Sequence, residues 1–461
     1  MADQTLHIAM NPWFALGHLT AFLHMANKLA KRGHKVSFFV PKNASLKLEH
    51  LNLHPHLISF IPIKVPHVNG LPSGSETTHD VPFSLRFLLV KAMDLTEPFI
   101  EAALRDLKPQ FIFFDFQHWM PQLARRLRTK AFHFCTISPA SVGYLLSPER
   151  KVLEEHAATE TDFMAPPPSF PPSAITVQLY AARMLAKVSV KEPDEDNGVS
   201  FIERNVIAFT DCDAIVFKTC KEIEGPYIDY LERQFNKPIF LAGPVLPHPP
   251  PNSTLEERWV KWLGSFSPRS VIFCAFGSEC ILKKDQFQEL LLGLELTGMP
   301  FLAALKPPMG TETIESALPE GFDERVKGRG IVYGGWIQQV LMLNHPSVGC
   351  FLSHCGSGSM TEALCGEAQL VLLPNFGDQF INSKVMSEDL KVGVEVEREE
   401  EDGVFTRESV CKAVKVVMDG DGEIGQKIRS NHNKWRQLLL ATGLEDAYLD
   451  EFVHKLRSLI Y

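Results

Sequence analysis

The stretch LHIAMNPWFALGHLTAFLHMANKLAKRGHKVSFFV, residues 6–40, decides the fold class. Its apolar run at 6–10 is closed by an Asn-Pro pair and predicts a short strand. Apolar side chains then recur every three or four residues over 19–29, which predicts a helix that ends near Gly33. Another apolar run at 35–40 predicts the next strand. This order of strand, helix and strand is typical of a parallel sheet with helices packed on its faces.

The same alternation continues along the chain. The run Phe111–Phe114 is apolar throughout and precedes Asp115, as expected for a strand buried on both faces of a parallel sheet. A proline-rich segment at 243–253 then interrupts the pattern, because prolines this dense exclude helix and strand interiors. Strand signals resume at 270–276 and 348–352. We therefore predict an α/β chain built from two doubly wound, Rossmann-like halves.

The expected domain boundaries follow from the proline-rich segment. We place an N-terminal Rossmann-like domain at 1–243 and a linker at 244–257. A C-terminal Rossmann-like domain is expected at 258–442. A last helix is predicted from about 446 to 459, and we expect the segment 443–461 to pack back on the N-terminal domain.

Composition excludes several classes of protein. With 461 residues, the chain is too long for one ordinary core. Its net charge of -9 and the lack of a basic patch argue against nucleic acid as a partner. No apolar stretch is long enough for a transmembrane segment, and the first residues lack the basic start of a secretory signal. The nine cysteines are scattered without CxxC spacing, so we expect reduced thiols in a cytoplasmic protein.

The densest cluster of functional residue types lies at 336–379. Within it, the letters HCGSGS at 354–359 end a predicted buried strand and open a helix. Backbone N–H groups and the positive end of the helix dipole then point at whatever binds there, which favours a phosphate. His354 and Ser359 can add side-chain hydrogen bonds to it. One helical turn further, Glu362 is suited to hold a pair of ribose hydroxyls.

An aromatic face for a nucleobase is available in the same segment. Trp336 can stack on a base, which is worth roughly 1–3 kcal/mol. Taken singly, each of these residues is more often structural. A Trp between glycines and a strand is commonly core, and an Asp-Gln pair such as 378–379 is commonly a turn. The joint spacing of the residues carries the functional interpretation.

With this segment in view, the chain resembles the plant family 1 UDP-dependent glycosyltransferases. The segment 336–379 is similar to the donor-binding box of that family, and the likeness extends over nearly the whole chain. The stretches GSECILKKDQFQELLLGLELTGMPF at 277–301 and SFIPIKVPHVNGLPSGSETT at 59–78 are most similar to its sugar-on-sugar branch. Members of that branch are anthocyanidin or flavonoid 3-O-glucoside 2″-O-glucosyl- and xylosyltransferases. The resemblance implies the GT-B fold, in which two Rossmann-like domains face each other across a cleft.

The resemblance also implies roles for individual residues of the donor site. Trp336 would stack on uracil, and the backbone of Ile337 would pair with the edge of that base. The ribose would be held by Gln339 and Glu362, and the sugar hydroxyls would be contacted by Asp378 and Gln379. The diphosphate would be bound by Ser278, His354, Ser359 and the backbone of Gly358. The chain departs from the family at two positions. Most members have Trp and Asn where this chain has Ser357 and Gly358. Without the Asn, the site loses a side-chain hydrogen-bond donor to the phosphate. Without the Trp, space opens beside the sugar.

Glycosyl transfer to an alcohol needs a base that takes the hydroxyl proton, and histidine is the usual choice near pH 7. His18 lies in the loop after the first predicted strand, where a doubly wound domain binds its ligands. Asp115, at the end of another buried strand, can orient the imidazole through a hydrogen bond. In the resembled family the matching His and Asp form this dyad. From the residues alone, other histidines of the first half compete, namely His7, His24, His34 and His118. Aromatic side chains near the dyad in sequence, candidates for an acceptor pocket or ordinary core, are Trp13, Phe14 and Trp119.

Three alternatives to this interpretation need a structural answer. The letters Asp211-Cys212-Asp213 match the Asp-x-Asp motif of Mn²⁺-dependent transferases, although they precede a strand and are expected to form a turn, so we expect a metal-free site. A nicotinamide-dependent oxidoreductase would use the glycines at 356–358 as part of a dinucleotide-binding motif, with an acid about 20 residues further on. That motif needs a third glycine at the position where this chain has Thr361. An idle UDP-sugar-binding protein would not need both members of the dyad.

The sequence as a whole predicts an inverting UDP-sugar-dependent glycosyltransferase that works as a monomer. UDP-glucose is the favoured donor because of Gln379, with UDP-xylose and UDP-rhamnose left open. The expected acceptor is a small molecule, the sugar 2″-hydroxyl of a flavonoid or anthocyanidin glycoside. An aglycone or a terpenoid glycoside is the alternative acceptor.

Overall fold

The first half of the chain forms a parallel sheet of the doubly wound kind. The computed structural model describes residues 5–150, 159–189, 199–246, 249 and 253–460. Within these residues the first sheet has seven parallel strands in the spatial order β3-β2-β1-β4-β5-β6-β7. Their bounds are β1 His7–Asn11, β2 Lys35–Pro41, β3 Ile58–Ile63, β4 Phe111–Phe114, β5 Lys130–Cys135, β6 Ala214–Phe217 and β7 Ile239–Leu241.

The second half repeats this architecture. Its sheet has six parallel strands in the order β10-β9-β8-β11-β12-β13. Their bounds are β8 Val271–Ala275, β9 Phe301–Ala304, β10 Gly330–Tyr333, β11 Val348–Ser353, β12 Gln369–Leu372 and β13 Gly393–Glu395. The strand order reverses beside the first strand in each sheet, as in Rossmann-like domains. The prediction of two doubly wound α/β halves is therefore confirmed.

Helices connect the strands and cover the sheets. In the first half they are α1 Leu16–Lys31, α2 Lys42–Leu48, α3 Arg86–Asp94, α4 Glu97–Leu107, α5 Met120–Leu127, α6 Pro139–Leu146, α7 Glu160–Met164, α8 Leu179–Ser189, α9 Phe201–Asp211 and α10 Lys221–Phe235. In the second half they are α11 Glu257–Leu263, α12 Lys284–Leu296, α13 Phe322–Arg325, α14 Gln339–Leu343, α15 Ser357–Cys365, α16 Gln379–Lys384, α17 Arg407–Met418, α18 Glu423–Leu439 and α19 Leu444–Ser458. Within the described residues, none of them combines the length and the apolar character needed to cross a bilayer.

Burial on both faces explains why the strands read as continuous apolar runs. Side chains of β4 alternate between two cores, because Phe111 and Phe113 belong to one buried cluster and Ile112 and Phe114 to the other. All four are at most 1% exposed. The nine cysteines are free thiols, and eight of them are buried.

Several predicted boundaries shift by a few residues. The helix predicted after His18 begins earlier, at Leu16, so His18 occupies the first turn of α1 rather than a loop. The reason is that Ala15 already adopts the extended N-cap conformation and accepts the backbone N–H of His18. The last helix begins at Leu444 and ends at Ser458. The proline-rich linker lies partly outside the described residues, at 247–248 and 250–252.

The last helix, α19, packs on the N-terminal sheet. Phe452 is 1% exposed, and its ring lies edge-on to Phe113 of β4 with centroids 6.0 Å apart. Ion pairs flank this apolar contact. Lys28 Nζ lies 2.6 Å from a carboxylate oxygen of Glu445, and Arg32 Nη2 lies 2.7 Å from one of Asp446. The chain end therefore crosses back to the first half and completes its core.

Phe452→Ala is expected to destabilise the N-terminal half by about 3–5 kcal/mol, because it removes a large buried ring and leaves a cavity against the sheet. Urea unfolding followed by intrinsic fluorescence measures the change. His454→Ala, an exposed substitution on the same helix, is the matched control and should leave the transition in place. An unchanged midpoint for Phe452→Ala would contradict the packing role of this helix.

Candidate active site

Two neighbouring strands bring His18 and Asp115 together. Strands β1 and β4 run parallel in register, with Asn11 opposite Phe114, so their carboxyl ends meet at one edge of the sheet. His18 Nδ1 lies 2.5 Å from Asp115 Oδ2. The other carboxylate oxygen accepts the backbone N–H of Trp13 at 2.7 Å. The structure therefore brings these two sequence-predicted residues into hydrogen-bond contact.

The hydrogen bond fixes the state of the His18 ring. A carboxylate can only accept, so Nδ1 of His18 carries the proton and Nε2 keeps its lone pair. Thr136, at the end of β5, places its Oγ1 3.1 Å from the same Nδ1. The imidazole is 29% exposed while the Asp115 side chain is 4% exposed, so the ring is open to solvent and its carboxylate partner is not. The arrangement can accept a proton from a hydroxyl.

Charges around His18 favour its protonated form. Burial of the ring lowers the pKa, but the charge and hydrogen bond of Asp115 and the charges of Glu279 and Asp378 outweigh that effect, so the pKa of His18 is raised from its ordinary value. Two of these carboxylates belong to the second half of the chain. The imidazole therefore faces acidic groups from both halves.

The competing histidines have other partners. His7 Nε2 lies 2.9 Å from the hydroxyl of Ser37, and Nδ1 of the buried His34 accepts the backbone N–H of Leu6. His118 Nδ1 accepts from Arg204 at 3.2 Å, which makes it a satisfied polar group. His24 also has an interaction partner. These contacts give the four competitors structural roles and leave His18 paired with Asp115.

The aromatic neighbours of the dyad are mainly core. Phe14 is 0% exposed and does not reach the cleft, because its ring packs beside Trp13 in the buried cluster. Trp13 in turn stacks on Phe116 with ring centroids 4.8 Å apart. Trp119 donates its indole N–H to Asp94 at 3.1 Å. Of the two interpretations that the sequence left open, ordinary core fits Phe14.

The HCGSGS segment follows β11 and forms the start of α15. Gly356 is the N-cap of this helix, and Cys355 before it has a positive φ of 65°. The ring of His354 fills the turn, since a Cβ on Gly356 would lie 2.6 Å from its Nε2 and a Cβ on Gly277 would lie 2.9 Å from it. Burial lowers the pKa of His354 to about 4, so its ring is neutral. Ser278 follows Gly277 in the turn after β8.

A polar cluster lies one turn into α15. The side-chain amide of Gln339 donates to Glu362 Oε2 at 2.7 Å and to Ser359 Oγ at 3.0 Å. Burial raises the pKa of Glu362, although the bond from Gln339 and the charge of Lys218 act against it. This cluster can hold adjacent hydroxyl groups because it presents a carboxylate and a hydroxyl side by side.

Trp336 stands open beside that cluster. Its side chain is 70% exposed, the largest exposure among the large apolar side chains that are exposed in the described residues. Ile337, the next residue, is 6% exposed and anchors the segment in the core. The only ring beside the indole in the described residues is His50, edge-on at 6.2 Å. The face of an exposed indole on an anchored backbone is available for a planar ligand.

Asp378 and Gln379 differ in what they can still bind. Asp378 Oδ2 accepts from Asn382 at 2.8 Å, and burial raises the pKa of its carboxyl. The side-chain oxygen of Gln379 accepts the backbone N–H groups of Asn375 and Phe376, at 2.9 and 3.3 Å. Only the amide N–H₂ of Gln379 remains for a ligand. Its oxygen closes the turn before α16.

Sequence reasoning missed residues that join the two halves. The side-chain oxygen of Asn382 accepts from Ser138 at 3.1 Å and Ser141 at 3.0 Å, across the cleft. Lys218 lines a pocket between the halves, together with Ser357, the residue that stands where most of the resembled family has Trp. No local sequence signal marks Asn382 or Lys218.

The second departure from the resembled family also leaves open space. A Cβ added to Gly358 would meet no atom of the described residues within 4 Å. A Cβ at this position at the start of α15 would therefore point into open space, and here the glycine offers its backbone alone.

The Asp-x-Asp letters run from the last residue of α9 through a two-residue bend into β6, where a turn was predicted. Asp213 Oδ2 accepts the backbone N–H of Ala131 at 2.8 Å, and Asp211 pairs with Arg125 at 3.3 Å. Both carboxylates are therefore used in joining α9 and β6 to their neighbours. In the part of the chain that the structure describes, no group of three or more His, Cys, Asp or Glu side chains is arranged to hold a metal ion.

Similar solved structures share this fold. A Glycyrrhiza uralensis enzyme, UGT73P12, complexed with glycyrrhetinic acid 3-O-monoglucuronide, superposes with a TM-score of 0.80 at 22% identity, over 99% of this chain and 96% of that one. A UDP-glucose: anthocyanidin 3-O-glucosyltransferase in complex with UDP gives a TM-score of 0.75 at 24% identity, over 99% of this chain and 100% of that one. Both likenesses concern the fold, which is GT-B.

Sequence relatives are much closer. A cyanidin 3-O-galactoside 2″-O-xylosyltransferase from Actinidia chinensis var. chinensis is 57% identical over 460 residues, covering 100% of both chains. An anthocyanidin 3-O-glucoside 2″-O-glucosyltransferase from Ipomoea purpurea is 55% identical over 456 residues, covering 99% of this chain and 98% of that one. The model of the UDP-glucoronosyl and UDP-glucosyl transferase family matches residues 317–426. With relatives this similar over its whole length, the chain belongs to the UDP-glucoronosyl and UDP-glucosyl transferase family.

Proposed function

We propose that this enzyme transfers a sugar from a UDP-sugar to the 2″-hydroxyl of the sugar on a flavonoid or anthocyanidin 3-O-glycoside. The observation that carries the proposal is the 2.5 Å contact of His18 and Asp115 at a cleft whose other wall holds the donor residues. The two relatives named above, both 2″-O-glycosyltransferases by name, support the acceptor class. Because the chain belongs to a family of transferases, the interpretation as a nicotinamide-dependent oxidoreductase is wrong.

The chemistry is a single in-line displacement at the anomeric carbon. His18 Nε2 takes the proton of the acceptor hydroxyl while its oxygen forms a bond to the anomeric carbon. The bond from that carbon to the β-phosphate oxygen breaks on the opposite face, so the configuration inverts and UDP leaves. Asp115 holds the Nδ1–H of His18 and stabilises the imidazolium. A histidine base placed in this way contributes about 10²–10⁴-fold.

Donor binding falls to the second half of the chain. Trp336 stacks on uracil, with the backbone of Ile337 on its edge. Gln339 and Glu362 hold the ribose from the cluster described above. The diphosphate binds at the start of α15, because the helix N-terminus offers unpaired N–H groups. The groups that receive it are His354, Ser359 and the backbone of Gly358, with Ser278 from the turn after β8.

The donor sugar lies between Asp378 and the amide of Gln379 in this proposal. UDP-glucose is the favoured donor, with UDP-xylose and UDP-rhamnose as the competitors. The deciding experiment incubates the enzyme with each of the three UDP-sugars and a flavonoid 3-O-glucoside or its aglycone, and identifies products by NMR. A disaccharide product linked at the 2″ position supports the proposal. Transfer to the aglycone alone, or only to a terpenoid glycoside, would replace the acceptor class.

Trp336→Ala is expected to raise the KM for the UDP-sugar by about 5- to 100-fold, because base stacking is worth roughly 1–3 kcal/mol. The acceptor KM should stay the same, since the indole lies on the donor side. Initial rates at varied donor concentration measure the effect. Trp336→Phe, which keeps an aromatic face, is the control and should recover most of the donor affinity. An unaffected donor KM in the alanine variant would remove the stacking role.

We propose that no metal ion takes part. The charge of the departing diphosphate is met by the N–H groups at the start of α15 and by His354. Dialysis against EDTA is therefore expected to leave kcat and both KM values unchanged. A loss of activity that Mn²⁺ or Mg²⁺ restores would contradict this prediction.

The proposed working state is a cytoplasmic monomer. Both walls of the site come from one chain, so a second copy is not needed to complete it. The free thiols of all nine cysteines suit a reducing compartment. Size-exclusion chromatography with light scattering, in the presence and absence of UDP, tests the oligomeric state.

A further inference from the structure

Glu279 reaches across the cleft from the second half of the chain to the first. It follows Ser278 in the turn after β8. Its Oε1 accepts from the hydroxyl of Thr78 at 2.6 Å, and its Oε2 lies 3.0 Å from Arg86 Nη1. Thr78 lies between β3 and α3, and Arg86 is the first residue of α3. One carboxylate therefore connects the donor-side turn with two groups of the acceptor-side domain.

This carboxylate lies beside the reacting groups. The backbone N–H of Thr78 donates to the carbonyl of Phe14 at 2.9 Å, in the loop that leads to His18. The charge of Glu279 acts on the imidazoles of both His18 and His354. Glu279 therefore lies near both His18, the proposed base, and His354, one of the proposed diphosphate residues. Groups next to the attacking hydroxyl must lie in the same region.

The pair still has hydrogen-bonding capacity on the cleft side. The side chains of Glu279 and Arg86 are 22% and 19% exposed, so neither is sealed in the interface. A carboxylate oxygen has two lone pairs and a guanidinium has five N–H donors, and the contacts above use only part of them. The remaining sites suit neighbouring hydroxyls, which can both donate and accept.

Aromatic rings complete the surface next to this pair. The guanidinium of Arg86 lies 4.9 Å from the ring centroid of Phe83 and 5.9 Å from that of Phe376. Phe83 is 62% exposed, so its ring is open to a ligand. A sugar ring matches such a surface, with hydroxyls for the charged groups and C–H bonds for the aromatic face. A flat aglycone would instead cover two charged groups with apolar surface, which is unfavourable.

We propose that Glu279 and Arg86 form the subsite that recognises the hydroxyls of the acceptor's own sugar, next to the hydroxyl that is glycosylated. The proposal rests on the proposed function and specifies why a glycoside is preferred to an aglycone. The two residues select the acceptor and position its sugar at His18.

The test compares Glu279→Gln and Arg86→Met with the wild-type enzyme, using a flavonoid 3-O-glucoside as acceptor. Each variant should raise the acceptor KM by about 10-fold or more, because a hydrogen bond to a charged group is lost. The donor KM, the UDP affinity measured by calorimetry, and the slow hydrolysis of UDP-sugar without acceptor should remain as in the wild type. Arg86→Lys, which keeps the charge, should fall between Arg86→Met and the wild type.

A second acceptor identifies the contact more directly. With a 3-deoxyglucoside, which lacks the hydroxyl next to the 2″ position, wild type and Glu279→Gln should show similar KM values. Tyr227→Phe is the matched control, since it removes another contact between the two halves, the hydrogen bond from Tyr227 to Asp389, and should leave the acceptor KM unchanged.

Two results would overturn the proposal. An acceptor KM unchanged in both Glu279→Gln and Arg86→Met would show that the pair does not contact the acceptor sugar. A parallel loss of UDP affinity and of UDP-sugar hydrolysis in these variants would show that the pair only braces the two domains. If the proposed function itself were wrong, the wild-type enzyme would give no disaccharide product. The wild-type measurement therefore distinguishes a failure of the proposed function from a failure of this subsite.

Discussion

His18→Ala is expected to lower kcat by about 10²–10⁴-fold, the range for loss of a positioned general base. The imidazole is the proposed base because its Nδ1 lies 2.5 Å from Asp115 Oδ2, which leaves the lone pair of Nε2 to accept a proton. Binding of UDP should not change, since the ring lies in the N-terminal half and the residues proposed to hold the nucleotide lie in the C-terminal half. Stopped-time assays with the glycoside acceptor and calorimetry with UDP give both quantities.

The control for this experiment is His67→Ala, an exposed histidine of the same domain that lies outside the dyad. It should retain wild-type kcat. If His18→Ala also retained wild-type kcat, the base would have to be another group. If the wild type itself bound UDP-sugar without turnover on any acceptor, the interpretation as an idle binding protein would replace the enzyme.

The dyad could be predicted because local rules place both residues at strand ends and the family resemblance singles out His18 among the competing histidines. An apolar run identifies a strand buried in a parallel sheet, and ligands collect at the carboxyl ends of such strands. Both His18 and Asp115 follow runs of this kind, and the pairing of β1 with β4 then makes their meeting a matter of topology. The same reasoning identified the HCGSGS segment as a strand end that opens a helix.

Contacts between the halves could not be predicted in this way. Glu279 meets Thr78 and Arg86 only because of how the two domains face each other, and no periodicity in the sequence encodes that orientation. The same applies to Asn382, which contacts Ser138 across the cleft. Sequence patterns report which face of an element is buried. They do not report which element of another domain lies opposite.

Gln379 shows a different limit. The sequence assigned its side chain to the donor sugar, but its oxygen accepts two backbone N–H groups of the preceding turn. A glutamine at the start of a helix can satisfy local backbone donors, and single-residue reasoning does not distinguish this use from ligand binding. The expected preference for UDP-glucose therefore depends on the amide N–H₂ of Gln379 and on the carboxylate of Asp378.

The fixed tautomer of His18 gives the second large prediction. Asp115→Asn is expected to lower kcat by about 10²–10⁴-fold with little loss of stability. An asparagine oxygen can still accept the backbone N–H of Trp13, which bonds Asp115 Oδ1 at 2.7 Å. Its amide N–H₂ would then face Nδ1 of His18 and donate to it. The proton would move to Nε2, and the ring could no longer accept one from the acceptor hydroxyl.

The pH profile of Asp115→Asn separates this electrostatic role from a structural one. The charge of Asp115 raises the pKa of His18, together with the charges of Glu279 and Asp378. The wild-type base is protonated below that raised pKa, so kcat/KM should fall as the pH drops through it. Without the Asp115 charge, the pKa of His18 decreases and the fall in kcat/KM should move to lower pH.

Asp115→Ala should lose turnover as well, and it should also unfold more easily, because the N–H of Trp13 loses its partner at a cost of about 1–3 kcal/mol. An acid limb at the same pH in Asp115→Asn and wild type, or a loss of UDP affinity in either variant, would contradict the assignment of Asp115 to the base.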